Sequence, residues 1–310
     1  MYKVSGLLVC AIFFISIFTG SAKESSVKWE TDLVNAQKIA ASQQKDIFVY
    51  FTGSDWCTYC IMLHKEVFDK GTFLEDMSKK YVFLKIDFPQ RKPLPEVTQQ
   101  KNDKLAEDYE VQGFPTVLLM DKEGKAFGKT GYKGLGPDKY AEHINELASK
   151  KQIRDKNFAE ARSKEGIQKA EALIKALSAL GDVPTLQYKS VQEEIFKADP
   201  EDKTGFKKNI VIKQKIAGME EYLVKLIESG KQKEALSEID KFLNEQKPEG
   251  ENKQKVMIFK VYIYEKDSIN LDEVNKLMDT IIAIDPKTET AENARGIKEQ
   301  VLEMRKAEKK

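Results

Sequence analysis

The chain has 310 residues, with 51 Lys plus Arg against 50 Asp plus Glu, and 41% hydrophobic against 33% charged residues. Charges this evenly balanced and interleaved exclude the electrostatic case for a nucleic-acid partner, and the apolar content excludes a disordered chain. Length alone points to two domains, because single cores stop growing near about 250–300 residues.

Lys3 precedes an apolar run from Leu7 to Phe18, and Gly20-Ser21-Ala22 places small residues ahead of Lys23. This is the pattern of a secretory signal peptide over residues 1–22. The run of 12 residues falls short of the roughly 20 that span a bilayer, so no stable membrane insertion is expected after cleavage. Cys10 lies inside the apolar core behind bulky Val9 and leaves with the signal. The pattern predicts an exported protein, periplasmic or extracellular, in a compartment where disulfides persist.

In chain order, Trp29, Leu33, Ala36, Ile39 and Ala40 recur at helical spacing, with Thr31 and Asp32 as start signals, and predict a helix from Trp29 to about Ala41. Ile47 to Phe51 reads as a buried central strand. Trp56-Cys57-Thr58-Tyr59-Cys60 follows, and Cys60, Ile61, His64, Val67 and Phe68 restore helical spacing over residues 57–69. The cysteines therefore occupy a strand-to-helix turn. Tyr81 to Phe88 predicts a second strand, Asn102 to Tyr109 a helix, Thr116 to Met120 a third strand, Lys125 to Lys129 a fourth, and Pro137 to Ala148 a closing helix. One sheet flanked by helices is the α/β layer arrangement.

Beyond about residue 150 the pattern is helical throughout. Stripes run through Ile167, Ala170, Leu173, Ile174, Leu177 and Leu180, then Met219, Tyr222, Leu223, Leu226 and Ile227, then Leu236, Ile239, Phe242 and Leu243. Gly230 to Pro286, with Ala235 early and Asp285-Pro286 at its end, is similar to a tetratricopeptide unit. The other Asp-Pro ending, Asp199-Pro200, lies more than twice the period of about 34 residues upstream, so helical hairpins are expected, not an array.

Thiol–disulfide exchange needs a thiolate, a second thiol to resolve the mixed disulfide, and a surface that takes an extended peptide. At a helix start, Cys57 faces unpaired N–H groups and the positive end of the macrodipole, which favour its thiolate. Cys60, one turn later on the same face, is placed to resolve, and Trp56 to shield the sulfurs. Thr58 and Tyr59 would tune the potential through their dipoles and the solvation they allow. A zinc site needs two more Cys or His, and only His64 and His143 exist, so no metal is expected. A structural clip closing so short a loop would add little stability. His64 is read as a packing or surface residue in preference to a general base.

Trp-Cys-x-x-Cys after a buried strand, with Gly113-Phe114-Pro115-Thr116 opening the third strand, resembles the thioredoxin superfamily over about residues 24–150. Thr52-Gly53-Ser54-Asp55-Trp56-Cys57 and Glu66-Val67-Phe68 are most similar to its exported bacterial members. The resemblance implies a thioredoxin-like fold with a central mixed sheet over residues 23–150; the helical stripes beyond it predict an all-α domain over 151–310. It implies a cis Pro115 against the active-site disulfide, and Phe114 pairing through its backbone with substrate. It further implies a thiol–disulfide oxidoreductase with no cofactor beyond the Cys57–Cys60 disulfide. Its partners would be exported proteins bearing thiols or disulfides and a redox partner protein. One departure is that the family's buried aspartate and its lysine fall on Tyr50 and Phe83, which leaves Asp55, Glu66 or water to accept the Cys60 proton. The alternative is a chaperone-like interaction scaffold, in which the helical half does the work and the redox module docks.

Overall fold

The computed structural model describes residues 27–70, 72–181, 183, 186–264 and 271–308. The expected signal segment, with Cys10, lies outside them. Strand β1 (Trp29–Glu30) leads into helix α1 (Leu33–Gln43), whose first turn is capped by the Asp32 carboxylate accepting from the Asn35 N–H. Trp29 is therefore a strand residue and does not belong to the helix its spacing predicts. It pairs in register with Phe83, and its indole lies 4.9 Å from that ring. The four-residue step to Leu33 imitates a helical repeat, but Asp32 between them is extended, as an N-cap must be.

Strands β2 (Asp46–Thr52), β3 (Tyr81–Asp87), β4 (Thr116–Met120) and β5 (Ala126–Thr130) complete one sheet in the order β1-β3-β2-β4-β5. The first three run parallel, β4 is antiparallel to β2, and β5 is antiparallel to β4. β2 is central, and every residue from Ile47 to Thr52 is buried, which explains its unbroken β-branched and aromatic run. The helix expected over 57–69 divides into α2 (Thr58–Leu63) and a single π turn, His64–Phe68, whose extra residue carries Phe68 to within 5.1 Å of the Tyr50 ring and 5.6 Å of Trp29. A short α3 (Phe73–Met77), which the sequence pattern does not announce, follows. α4 starts at Glu96 and runs to Asp108, earlier than the expected Asn102, because only Asn102 in it is buried and an apolar stripe is absent. α5 (Pro137–Ala161) continues beyond the expected Ala148.

The chain divides into two compact units, one comprising residues up to Lys156 with Ala176–Lys189, the other Asn157–Lys175 with Ser190 onward. α5 and α6 (Gly166–Ser178) each contribute to both. In the first unit, five phenols are held protonated by burial: Tyr50, Tyr109 and Tyr188 are each pushed up to about 12, and Tyr81 and Tyr140 are raised as well. Unfolded tyrosines ionise near about 10. Groups with a raised folded value contribute fully below the unfolded one and lose that contribution as pH rises through the folded one. The thermal midpoint, followed by circular dichroism, is therefore expected to fall steadily between about pH 10 and 12.

The second unit is helical, with α7 (Lys189–Ala198), α8 (Phe206–Glu228), α9 (Gln232–Gln246), α10 (Gly250–Tyr264), α11 (Leu271–Ile284) and α12 (Glu289–Glu308). One core joins Ile216 and Leu223 of α8, Ile239 of α9 and Val256 of α10, and a second joins Val261 of α10, Met278 of α11 and Ala294 of α12. α10 thus serves both. Fully buried Gln254 on α10 donates to the Ile281 and Asp285 carbonyls at 2.8 Å and accepts from Thr288 at 2.7 Å, satisfying the end of α11 ahead of Pro286. Of the expected stripes, Ile167 and Tyr222 remain exposed.

Candidate active site

The cysteines sit where β2 turns into α2. Gly53 accepts from the backbone N–H of Trp56 at 3.2 Å and of Cys57 at 2.9 Å, and a Cβ on it would lie 2.5 Å from the Trp56 indole, so no larger residue fits beneath that ring. The Trp56 indole N–H donates to the Phe88 carbonyl at 2.8 Å, and its ring meets Phe114 edge-on at 6.0 Å. Phe88 in turn lies 4.9 Å from Phe114. Asp55 accepts from the Gln90 and Arg91 N–H groups at 2.9 and 2.7 Å, and these donors hold its carboxyl below the usual range. Asp87 accepts from the Ser54 N–H and hydroxyl. The turn is thereby pinned to the segment after β3.

Cys57 and Cys60 are joined as a disulfide. Cys57 occupies the N-cap of α2, and its Sγ accepts from the Cys60 N–H at 3.2 Å. The same sulfur lies 3.5 Å from the Phe114 carbonyl. A disulfide sulfur carries no proton, so this is a contact that turns into a donor–acceptor pair only in the thiol form. The Phe114–Pro115 peptide is cis, the isomer implied by the resemblance. Cys60 is 1% exposed, and Tyr50 donates to its carbonyl at 3.0 Å.

Beneath Cys60 the structure places a neutral phenol. The β3 residue directly opposite Tyr50 is Lys85, whose ammonium is 3.7 Å from Asp87, while Phe83 is two residues away on the same face, its ring tilted at 57° against Trp29. Asp55 is committed to Gln90 and Arg91, and Glu66 accepts from the Tyr132 hydroxyl at 2.7 Å. His64 pairs with Asp69 at 3.0 Å at the surface, and His143 bonds Thr130 at 2.9 Å. Among the described residues, no group of three or more His, Cys, Asp or Glu is arranged to hold a metal ion, and no helix is long and apolar enough to cross a membrane.

Of the residues singled out from sequence, Trp56, Cys57, Cys60, Phe114 and Pro115 come together, with Thr58 and Tyr59 exposed between the cysteines. Phe88, Gly131 and Tyr132 also border the site and carry no motif in the sequence. A Cβ on Gly131 would lie 2.7 Å from the Pro115 carbonyl oxygen, so a bare Cα is needed where this segment presses on the cis-proline turn. Its signal, one glycine after a strand, is indistinguishable from an ordinary turn. Gly131→Ala is expected to destabilise the protein by about 1–3 kcal/mol, as overpacking against backbone does, measured by denaturant unfolding.

The thioredoxin-like domain family matches residues 33–148. The disulfide bond reductase DsbH of Chlamydia pneumoniae is 31% identical over 120 residues, covering 39% of this chain and 72% of the relative. The thioredoxin-related protein DsbJ of the same organism is 23% identical over 133 residues, 43% of this chain and 38% of that protein. A solved DsbH oxidoreductase aligns with 46% of this chain and 94% of its own, at 28% identity and a TM-score of 0.38.

Proposed function

The chain belongs to the thioredoxin-like family, and on that premise we propose that it reduces disulfides in exported proteins by cycling Cys57 and Cys60 between dithiol and disulfide. The observation that carries this reading is the position of Cys57 Sγ, bonded to Cys60, capped by the Cys60 N–H and beside the carbonyl that precedes Pro115. The reductase printed in the name of the Chlamydia relative supports the direction. The signal-like pattern of residues 1–22 supports export.

In the reduced protein, the Cys60 N–H and the helix start favour the Cys57 thiolate. That thiolate attacks one sulfur of the substrate disulfide. The substrate S–S bond breaks, its second sulfur leaves as thiolate and takes a proton, and Cys57 is joined to substrate. Cys60 then gives up its proton to solvent or to the departing thiolate and attacks Cys57 Sγ, releasing the second substrate thiol. Two electrons have passed to the substrate, and the Cys57–Cys60 disulfide remains. A dithiol partner returns it to the reduced state.

Tyr50 stays protonated to about 12, so it orients Cys60 through the carbonyl but takes no proton from it at neutral pH. With a neutral floor, the Cys60 proton goes to solvent or to the departing thiolate. The test is catalysed reduction of insulin disulfides with dithiothreitol as the donor. Acceleration over dithiothreitol alone is expected, and a rate equal to the uncatalysed one refutes the assignment.

A further inference from the structure

Tyr59, between the two cysteines, is 59% exposed, yet its ring does not stand alone. It stacks on Tyr132 at 5.7 Å and 28°, and the Tyr132 hydroxyl donates to Glu66 at 2.7 Å. The Glu66 carboxylate holds the Tyr132 phenol above its ordinary range, so this hydrogen bond persists across neutral pH. The stack is thus tied to three places at once: the active-site turn, the π turn after α2, and the segment that follows β5. Gly131, immediately before Tyr132, presses on the Pro115 carbonyl. The ring pair is thus joined, through Gly131 and Pro115, to the loop whose Phe114 carbonyl lies beside Cys57 Sγ. A second aromatic set, Trp56 and Phe88, packs on Phe114 of the same loop.

We propose that Tyr132 is a specificity-determining residue: with Tyr59 it forms an aromatic wall that selects substrate cysteines flanked by aromatic or long aliphatic side chains. The inference rests on the reductase reading above. In an extended peptide the residues two positions before and after the cysteine are about 6.6 Å away along the chain and project from the cysteine's own face. Side chains there reach what borders the turn, and offset or edge contact with a ring adds to simple burial. The Glu66 tie keeps the wall ordered before the substrate arrives, so little freedom is lost on contact.

The test uses two symmetric disulfide-linked peptide dimers, identical except that the positions two residues before and two residues after the cysteine are Phe in one and Ser in the other. The full chain reduces each with dithiothreitol as donor, and kcat/KM is compared. The unaltered protein is expected to favour the Phe dimer by about fivefold to tenfold, chiefly through KM. Tyr132→Ala should bring that ratio close to one, while Tyr132→Phe, which keeps the ring, should retain most of it. Tyr59→Ser, at an exposed position, should also bring the ratio close to one and serves if Tyr132→Ala fails to fold. A ratio near one in the unaltered protein, or an unchanged ratio in Tyr132→Ala or Tyr59→Ser, overturns the proposal. Failure of the unaltered protein to reduce either dimer or oxidised glutathione overturns the reductase reading, and the inference with it.

Discussion

Cys60→Ser is expected to leave the protein covalently joined to its substrates, with adducts that form through Cys57 and disappear on treatment with dithiothreitol. The reason is positional. Cys60 Sγ is the sulfur bonded to Cys57, it is 1% exposed, and no other cysteine lies among the described residues. With its thiol gone, no thiol among the described residues can attack the mixed disulfide, and external thiol is needed to release it. Cys57→Ser should behave differently, with turnover falling on the order of a thousandfold or more and no adducts, since a serine hydroxyl is scarcely ionised near neutral pH. Non-reducing electrophoresis and insulin-reduction rates separate the two outcomes. Equal turnover in Cys57→Ser and the unaltered protein would place the chemistry elsewhere.

The second large effect concerns stability. Arg154, 4% exposed on α5, donates to Asp121 and to the Tyr188 hydroxyl, both at 2.9 Å. Burial pushes the Asp121 carboxyl up despite the neighbouring guanidinium, a sign of how poorly that site is solvated. Tyr188 donates in turn to the Ala126 carbonyl, and Gln187 accepts from the Ala126 N–H, so residues 186–188 cover the outer edge of β5. Removing the cation leaves a buried carboxylate with the Lys125 N–H, at 2.7 Å, but no positive charge beside it. Arg154→Ala is therefore expected to cost about 3–5 kcal/mol in denaturant unfolding. Arg154→Ala combined with Asp121→Asn should recover part of that, because the orphaned charge is then gone.

Much of this architecture was legible in the residues. Ile47 to Phe51 and Thr116 to Met120 announce themselves because strands buried on both faces need apolar side chains at every position. Trp56-Cys57-x-x-Cys60 and Phe114-Pro115 are legible because their residue types are demanded by the chemistry and the turn. Other parts were hidden for stated reasons. Trp29 mimics a helical repeat while pairing with Phe83. α4 has a polar surface and no stripe, and the π turn at His64–Phe68 shifts the helical phase by a single residue, which no short window detects. Tyr132 and Phe88 join the site, 66 residues downstream of Glu66 and 32 residues beyond Trp56, through contacts that only the fold creates. The replacement of the family's buried carboxylate by Tyr50 was readable. Its bond to the Cys60 carbonyl and the presence of Lys85 directly opposite were not.

The most direct test of the central claim is the equilibrium reduction potential of the Cys57–Cys60 pair, measured against defined thiol–disulfide buffers. A reductase should equilibrate reversibly, as a two-electron couple, near about −230 to −270 mV. A value near about −120 mV would make the protein an oxidant and contradict the reductase assignment, and the lack of any reversible titration would contradict a redox role for the pair.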